Sequence, residues 1–128
     1  MRRRAVGASG LSVGRLGLGT MTWGGDVAPD TARALLRTFV DAGGDLVDTA
    51  PAYGGGRAEE LLGRFMRSDL RRDDLVIATK AGFGVRDGKR VVDTSRRALL
   101  RDLAGSLQRL GTDYVDLWQV HAWGEAPI

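Results

Sequence analysis

The sequence predicts an α/β fold in which parallel strands alternate with helices. Three observations carry that prediction. After an opening hairpin, runs of strand character and apolar stripes at helical spacing follow one another in strict order. Glycines or capping residues punctuate the changes from one to the next. No linker, repeat or low-complexity tract divides the chain, so residues 1–128 read as one structural unit.

The hairpin comes first, over residues 2–16, with Arg3-Arg4-Ala5-Val6 and Leu11-Ser12-Val13 joined through Ala8-Ser9-Gly10. Arg15-Leu16-Gly17-Leu18-Gly19-Thr20-Met21 is a compact apolar stretch that suits a buried strand. Ala32, Leu35, Leu36, Phe39 and Val40 then fall on one helical face, with Asp30 as the expected cap and Gly43-Gly44 as the end. Asp45-Leu46-Val47-Asp48 forms the next strand. The glycine loop Tyr53-Gly54-Gly55-Gly56 precedes a second helix whose inner face is Ala58, Leu61, Leu62 and Phe65. Leu75-Val76-Ile77-Ala78-Thr79-Lys80 is the clearest strand, continuous and β-branched as in a parallel sheet covered on both faces. Asp87-Gly88 marks an exposed turn that accounts for Lys89. Ser95 caps a third helix with Leu99, Leu103, Leu107 and Leu110 in one stripe and Gly111 as its stop. Residues 114–121 supply the last strand.

Composition bounds the function. With 43% hydrophobic and 27% charged residues the chain has the make-up of a globular domain rather than a disordered tail. The absence of cysteine removes disulfides, thiol nucleophiles and thiolate metal sites; no metal is expected, and a reducing cytoplasm is the expected location. No apolar run approaches the roughly 20 residues that span a bilayer, so no membrane contact is expected. The net charge of +3 comes from scattered arginines, only Lys80 and Lys89 being lysines, which suits a solvated surface better than a nucleic-acid groove.

The rare polar residues fall together. Asp48, Lys80 and His121 each end a successive predicted strand, the edge at which parallel α/β folds build their sites, and Tyr53 stands in the loop just after Asp48. Each has a plainer reading alone: Asp48 capping a turn, Lys80 reaching water, His121 satisfied in the core, Tyr53 covering it. Four such residues meeting at one rim is the less ordinary event, and together they make a proton donor. A tyrosine hydroxyl, with an ordinary pKa near 10, is a poor acid at neutral pH. A lysine ammonium beside it stabilises the phenolate, and an aspartate holds that ammonium in place. A histidine hydrogen-bonding the substrate oxygen completes a general acid aimed at a carbonyl, an arrangement that supplies about 10²- to 10⁴-fold in rate.

Four stretches resemble the aldo-keto reductases: Gly17-Leu18-Gly19-Thr20-Met21-Thr22-Trp23-Gly24-Gly25, Asp48-Thr49-Ala50-Pro51-Ala52-Tyr53-Gly54-Gly55-Gly56, Ile77-Ala78-Thr79-Lys80 and Ser106-Leu107-Gln108-Arg109-Leu110-Gly111-Thr112-Asp113-Tyr114-Val115-Asp116-Leu117. The resemblance runs over essentially the whole chain and in the family's order. It implies a (β/α)₈ TIM barrel, present as a partial barrel of about four βα units behind the hairpin, that transfers hydride from NADPH to an aldehyde or ketone. By this resemblance Tyr53 is the general acid, Lys80 and Asp48 tune it, and His121 orients the carbonyl. Thr20, Met21 and Asp48 match positions near the cofactor's nicotinamide and ribose, and Trp23 a substrate-pocket wall, with Trp123 as a further aromatic at its mouth. Ala58 stands where many members have serine before the glutamate of the second helix.

A complete barrel takes about 250 residues. The chain is therefore expected to be the family's N-terminal half, without most of the NADPH surface, and its first and fourth strands are expected to expose edges that favour self-association. A dinucleotide-binding Rossmann domain is the competing enzyme reading, but Gly17-Leu18-Gly19 is followed by Thr22 where that fingerprint needs glycine. The competing non-enzymatic reading is a catalytically inactive truncated fragment, or a half barrel that binds a partner through its open edge.

Overall fold

The computed structural model describes residues 1–124; residues 125–128 of the expected 1–128 unit lie outside the described residues. The chain opens with an antiparallel hairpin, β1 (Arg3–Ala5) and β2 (Ser12–Gly14), in which Arg3 faces Gly14. The Gly14 N–H reaches past the hairpin to the Asp45 carboxylate at 2.8 Å. Behind it stands a parallel four-stranded sheet of β3 (Gly17–Gly19), β4 (Leu46–Asp48), β5 (Val76–Ala81) and β8 (Leu117–Val120), in that spatial order.

Three helices occupy the crossovers: α1 (Pro29–Asp41), α2 (Arg57–Ser68) and α3 (Arg96–Leu110). The spatial order of the strands follows the chain without reversal. That is the winding of a barrel arc; a doubly wound Rossmann sheet reverses direction at its switch point. Among the described residues no helix is long and apolar enough to cross a membrane.

Local sequence explains most boundaries. Pro29 is preset for the first turn of α1, so the helix starts one residue before the expected cap; Ala28 takes the cap position and Asp30 lies in the first turn, near the positive end of the helix dipole. The end is as expected. Gly43 (φ 81°) donates its N–H to Val40 O at 2.8 Å and Gly44 to Phe39 O at 2.9 Å, the paired bonds of a left-handed glycine stop. Ser95 caps α3, its Oγ accepting from the Ala98 N–H at 3.3 Å, and Gly111 (φ 66°) ends it.

Other expectations are corrected. Leu35 is 45% exposed, so the buried face of α1 centres on Ala32 and Leu36. In α3 the buried residues are Ala98, Leu99, Ser106 and Leu110, while Leu103 and Leu107 are only half-buried. The stripe turns toward small residues because α3 closes on α2 at Gly63. β3 is an edge strand rather than a buried one, with Leu16 65% and Met21 67% exposed beside it. The exposed turn at Asp87-Gly88 is the tip of a second hairpin, β6 (Phe83–Arg86) with β7 (Lys89–Val92). Asp87 and Gly88 both sit at positive φ (50° and 73°), the two-residue turn whose twist matches that of its strands.

The core lies between the sheet and its helices. Val47 of β4 pairs in register with Ile77 of β5, and both belong to one buried cluster with Trp23, Leu36, Leu62 and Leu110, each at most 1% exposed. Burial of this kind stabilises by about 1.5–3 kcal/mol per large side chain.

Candidate active site

Strand register assembles the site. Asp48 lies opposite Gly19 on one side and Ala78 on the other. Side chains alternate along a strand, so Lys80, two residues beyond Ala78, projects on the same face as Asp48 and one step nearer the rim. Val47, Ile77 and Thr79 take the opposite, helix-covered face by the same alternation. Lys80 in turn pairs with Gln119. The Lys80 ammonium donates to Asp48 Oδ2 and Oδ1 at 2.7 and 2.8 Å, to the Thr49 carbonyl at 3.0 Å and to the Tyr53 hydroxyl oxygen at 3.0 Å.

Because the ammonium donates to the phenolic oxygen, the phenolic proton is left to point at another acceptor. The lysine side chain is 14% exposed and the aspartate 38%, so the cation is sheltered while the carboxylate stays partly open. Tyr53 is anchored by its own N–H to the Ala50 carbonyl at 3.1 Å.

His121 closes the cluster from β8. It lies two residues past Gln119, and its N–H donates to the Ala81 carbonyl at 2.9 Å. Its ring stands edge-on to Tyr53, centroids 5.9 Å apart at 86°, and leans on Phe83 at 5.0 Å. Its buried Nδ1 has no hydrogen-bond partner among the described residues. Burial first, and the Lys80 ammonium second, hold the imidazole below its ordinary pKa of 6.5, with Asp48 opposing, so it is uncharged at neutral pH. A neutral imidazole beside a phenol can orient an uncharged oxygen without competing as an acid.

The remaining expected residues divide. Thr20 is fully buried, and both its N–H and its hydroxyl donate to the Asp48 carbonyl at 3.0 Å, so it holds the end of β4 rather than facing a ligand. Met21, 67% exposed, projects from the end of β3. Trp23, expected as a pocket wall, is 1% exposed and packs edge-on against Phe65 with ring centroids 6.0 Å apart; it is a core residue, because the core behind the sheet accommodates its whole indole. Trp123 is 95% exposed.

Two features escaped sequence reasoning. Phe83 lines a cleft of about 510 Å³ beside the rim, together with Pro51, Ala52, Gly55, Val85 and Arg109. Glu59, 0% exposed, accepts from the Thr79 hydroxyl at 2.6 Å and from Arg109 Nε at 2.7 Å. An aspartate-glycine pair between alternating residues was the available sign of the hairpin that carries Phe83. Nothing local marks Glu59, since an acidic residue in the first turn of a helix is ordinarily solvated.

A parallel sheet wound in sequential order, with ionisable side chains gathered at the carboxyl ends of its strands, is the layout of a βα-barrel protein. The chain belongs to the aldo/keto reductase family, whose model matches residues 15–126. It is 35% identical over 126 residues to the aldo-keto reductase YhdN of Bacillus subtilis, covering 94% of this chain and 38% of that protein. The crystal structure of PA4992 from Pseudomonas aeruginosa superposes with a TM-score of 0.86 at 41% identity, over 96% of this chain and 48% of that one. The holo form of an aldo-keto reductase from Bacillus halodurans gives 0.84 at 34% identity, over 94% of this chain and 40% of that one. The chain thus spans less than half the length of these relatives.

Proposed function

We propose that this chain carries the proton-transfer half of an oxidoreductase that reduces an aldehyde or ketone with NADPH. One observation carries the reading: a single ammonium, Lys80 Nζ, reaches both the Asp48 carboxylate and the Tyr53 hydroxyl. In this reading Tyr53 is the general acid. As charge builds on the carbonyl oxygen, the phenolic proton moves to it and Lys80 stabilises the phenolate left behind. Asp48 offsets the cost of sheltering the cation, and His121 directs the carbonyl oxygen toward the phenol.

A bound nicotinamide supplies the hydride. The partly open Asp48 carboxylate and the exposed Met21 fit a role in holding its ribose and amide; Thr20, whose hydroxyl is committed to the Asp48 carbonyl, fits only as their support. NADPH rather than NADH, and a small-molecule carbonyl as partner, rest on family membership. The lack of cysteine agrees with a cytoplasmic setting.

Tyr53→Phe tests the reading in a natural form of the protein that turns over. Carbonyl reduction should fall by about 10²- to 10⁴-fold, while NADPH affinity, read by quenching of protein fluorescence, stays within about threefold because the lost hydroxyl acts on the substrate oxygen. Undiminished reduction in a folded Tyr53→Phe variant would remove Tyr53 from the role.

A second reading concerns residues 1–128 by themselves. β3 and β8 are the edges of the sheet, and Leu16, Trp118 and Val120 on or beside them are 65%, 39% and 43% exposed. Those edges and apolar groups favour self-association of the isolated chain over turnover by it.

A further inference from the structure

The acid proposed above sits on a short 3₁₀ turn, Tyr53–Gly56, held by few backbone bonds, among them Tyr53 N–H to Ala50 O at 3.1 Å and a long one from Gly55 N–H to Ala52 O at 3.4 Å. Gly54, Gly55 and Gly56 follow Tyr53 at φ 59°, 65° and 96°, three consecutive residues in the left-handed region, where glycine is freest in the unfolded chain and loses most on ordering. A second restraint comes from outside the loop, where Arg109 of α3 lies against it. A Cβ built on Gly56 would stand 2.8 Å from Arg109 Cδ and 3.1 Å from Nε, so the arginine side chain passes directly over the junction of the loop with α2. The same side chain runs close over Gly105, one turn back on its own helix.

The arginine is fixed in turn. Its Nε donates to Glu59 Oε2, while the other carboxylate oxygen, Oε1, accepts from the Thr79 hydroxyl. Glu59 is 0% exposed and the arginine side chain 27%. Thr79 immediately precedes Lys80 on β5 and points to the helix side of the sheet, as Lys80 points to the rim. A continuous path therefore runs from the Tyr53 loop through Arg109, Glu59 and Thr79 to the backbone of Lys80. Apolar side chains of similar volume could fill this space without the desolvation cost of a buried ion pair. What they could not supply is direction: the pair accepts one register of α2 against β5 and α3.

We propose that Glu59, Thr79 and Arg109 are positioning residues that set the Tyr53 hydroxyl against the Lys80 ammonium across the glycine loop. This rests on the reading of Tyr53 as the acid, and the test separates the two. Tyr53 and Tyr114 are the only tyrosines of the 128-residue chain, so 3-fluorotyrosine labelling gives two ¹⁹F signals, assigned with Tyr114→Phe. Thr79→Val, Arg109→Met and Arg109→Lys are compared by ¹⁹F spectrum in this chain, and by kcat and KM for carbonyl reduction in a natural form that turns over.

The Tyr53 signal should shift and broaden in Thr79→Val and Arg109→Met while that of Tyr114 holds. kcat should fall by about 10- to 100-fold, since a misplacement of about 1 Å can cost about 10²-fold, with KM changed less than about twofold because uniform substrate binding is untouched. Arg109→Lys, which keeps the charge facing Glu59, should recover part of both signals. If Arg109→Met fails to fold, Thr79→Val and Arg109→Lys decide. Folded variants with an unmoved Tyr53 signal and wild-type kcat overturn the proposal. A wild-type protein without carbonyl reduction sinks the proposed function instead, and the fluorine spectra alone then decide whether the clamp exists.

Discussion

Replacing Gly63 by alanine ordinarily favours a helix, by about 1 kcal/mol in an exposed interior position. In this protein it should do the reverse. A Cβ at Gly63 would lie 2.6 Å from both the Arg109 and the Leu110 carbonyl oxygens and 2.8 Å from the Leu110 carbonyl carbon, about 0.6–0.8 Å inside the 3.4 Å at which ordinary contact begins. All three atoms are backbone at the end of α3, held by the Gly111 stop, so no rotamer relieves the overlap and α2 must move away from α3. Overpacking of this kind costs about 3 kcal/mol at its upper end, leaving a net loss of about 2 kcal/mol after the propensity gain.

Gly105→Ala is the internal control. The nearest atoms to a Cβ at Gly105 belong to the guanidinium of Arg109, Nη1 at 3.1 Å, a side-chain end that can swing by a few tenths of an ångström about its Nε bond to Glu59. That variant should keep most of the propensity gain, about 0.5–1 kcal/mol. Urea denaturation distinguishes them: with an unchanged m-value, the midpoint should fall by about 1 M for Gly63→Ala and hold or rise for Gly105→Ala. A Gly63→Ala protein as stable as Gly105→Ala would refute the helix contact on which the reasoning depends.

His121 should titrate below 6.5, and as the only histidine in the chain it gives a single imidazole Cε1–H resonance by which to follow it. Lys80→Met removes the second cause of the shift and should move the inflection upward. Because the folded value is depressed, the unfolded chain binds the extra proton; the stability linked to this group is present above about pH 6.5 and is lost as pH falls through the folded value, a loss that His121→Gln should abolish. Residues 1–128 alone should run as dimers or larger species by light scattering and oxidise NADPH negligibly with 4-nitrobenzaldehyde. A monodisperse monomer turning over at about 1 s⁻¹ or more would refute that expectation.

The parts of the fold written in local sequence were the parts that could be read. Ser95 and Gly111 bound α3 because cap and stop chemistry act within a few residues, and the position of Asp48, Lys80 and His121 at the carboxyl ends of successive strands placed three candidate site residues on one rim. Helix faces were less legible. The buried stripe of α3 depends on where α2 presents Gly63, not on which positions carry leucine. Trp23 is in the core because Phe65, from α2, meets its ring there. Glu59 was hidden for the same reason in stronger form: its two partners lie 20 and 50 residues away, and without them an acidic residue in a first helical turn faces water.

The β6–β7 hairpin leaves the sheet at Gly82 and rejoins the chain at Asp93, and the Asp93 N–H closes its base on the Gly82 carbonyl at 3.0 Å. The Gly82 N–H is pinned to the Asp102 carboxylate at 3.0 Å, so the stem is held independently of the tip. Its closed base makes the hairpin a self-contained insert between β5 and α3. Doubling the length of such a loop costs only about 0.6 kcal/mol in closure entropy, and neither β5 nor α3 need shift to admit a longer or shorter one. It touches the rim through Phe83, whose ring leans on His121. Exchanging these ten residues would therefore rewrite the surface beside the histidine while leaving the cluster of Asp48, Tyr53 and Lys80 as it is.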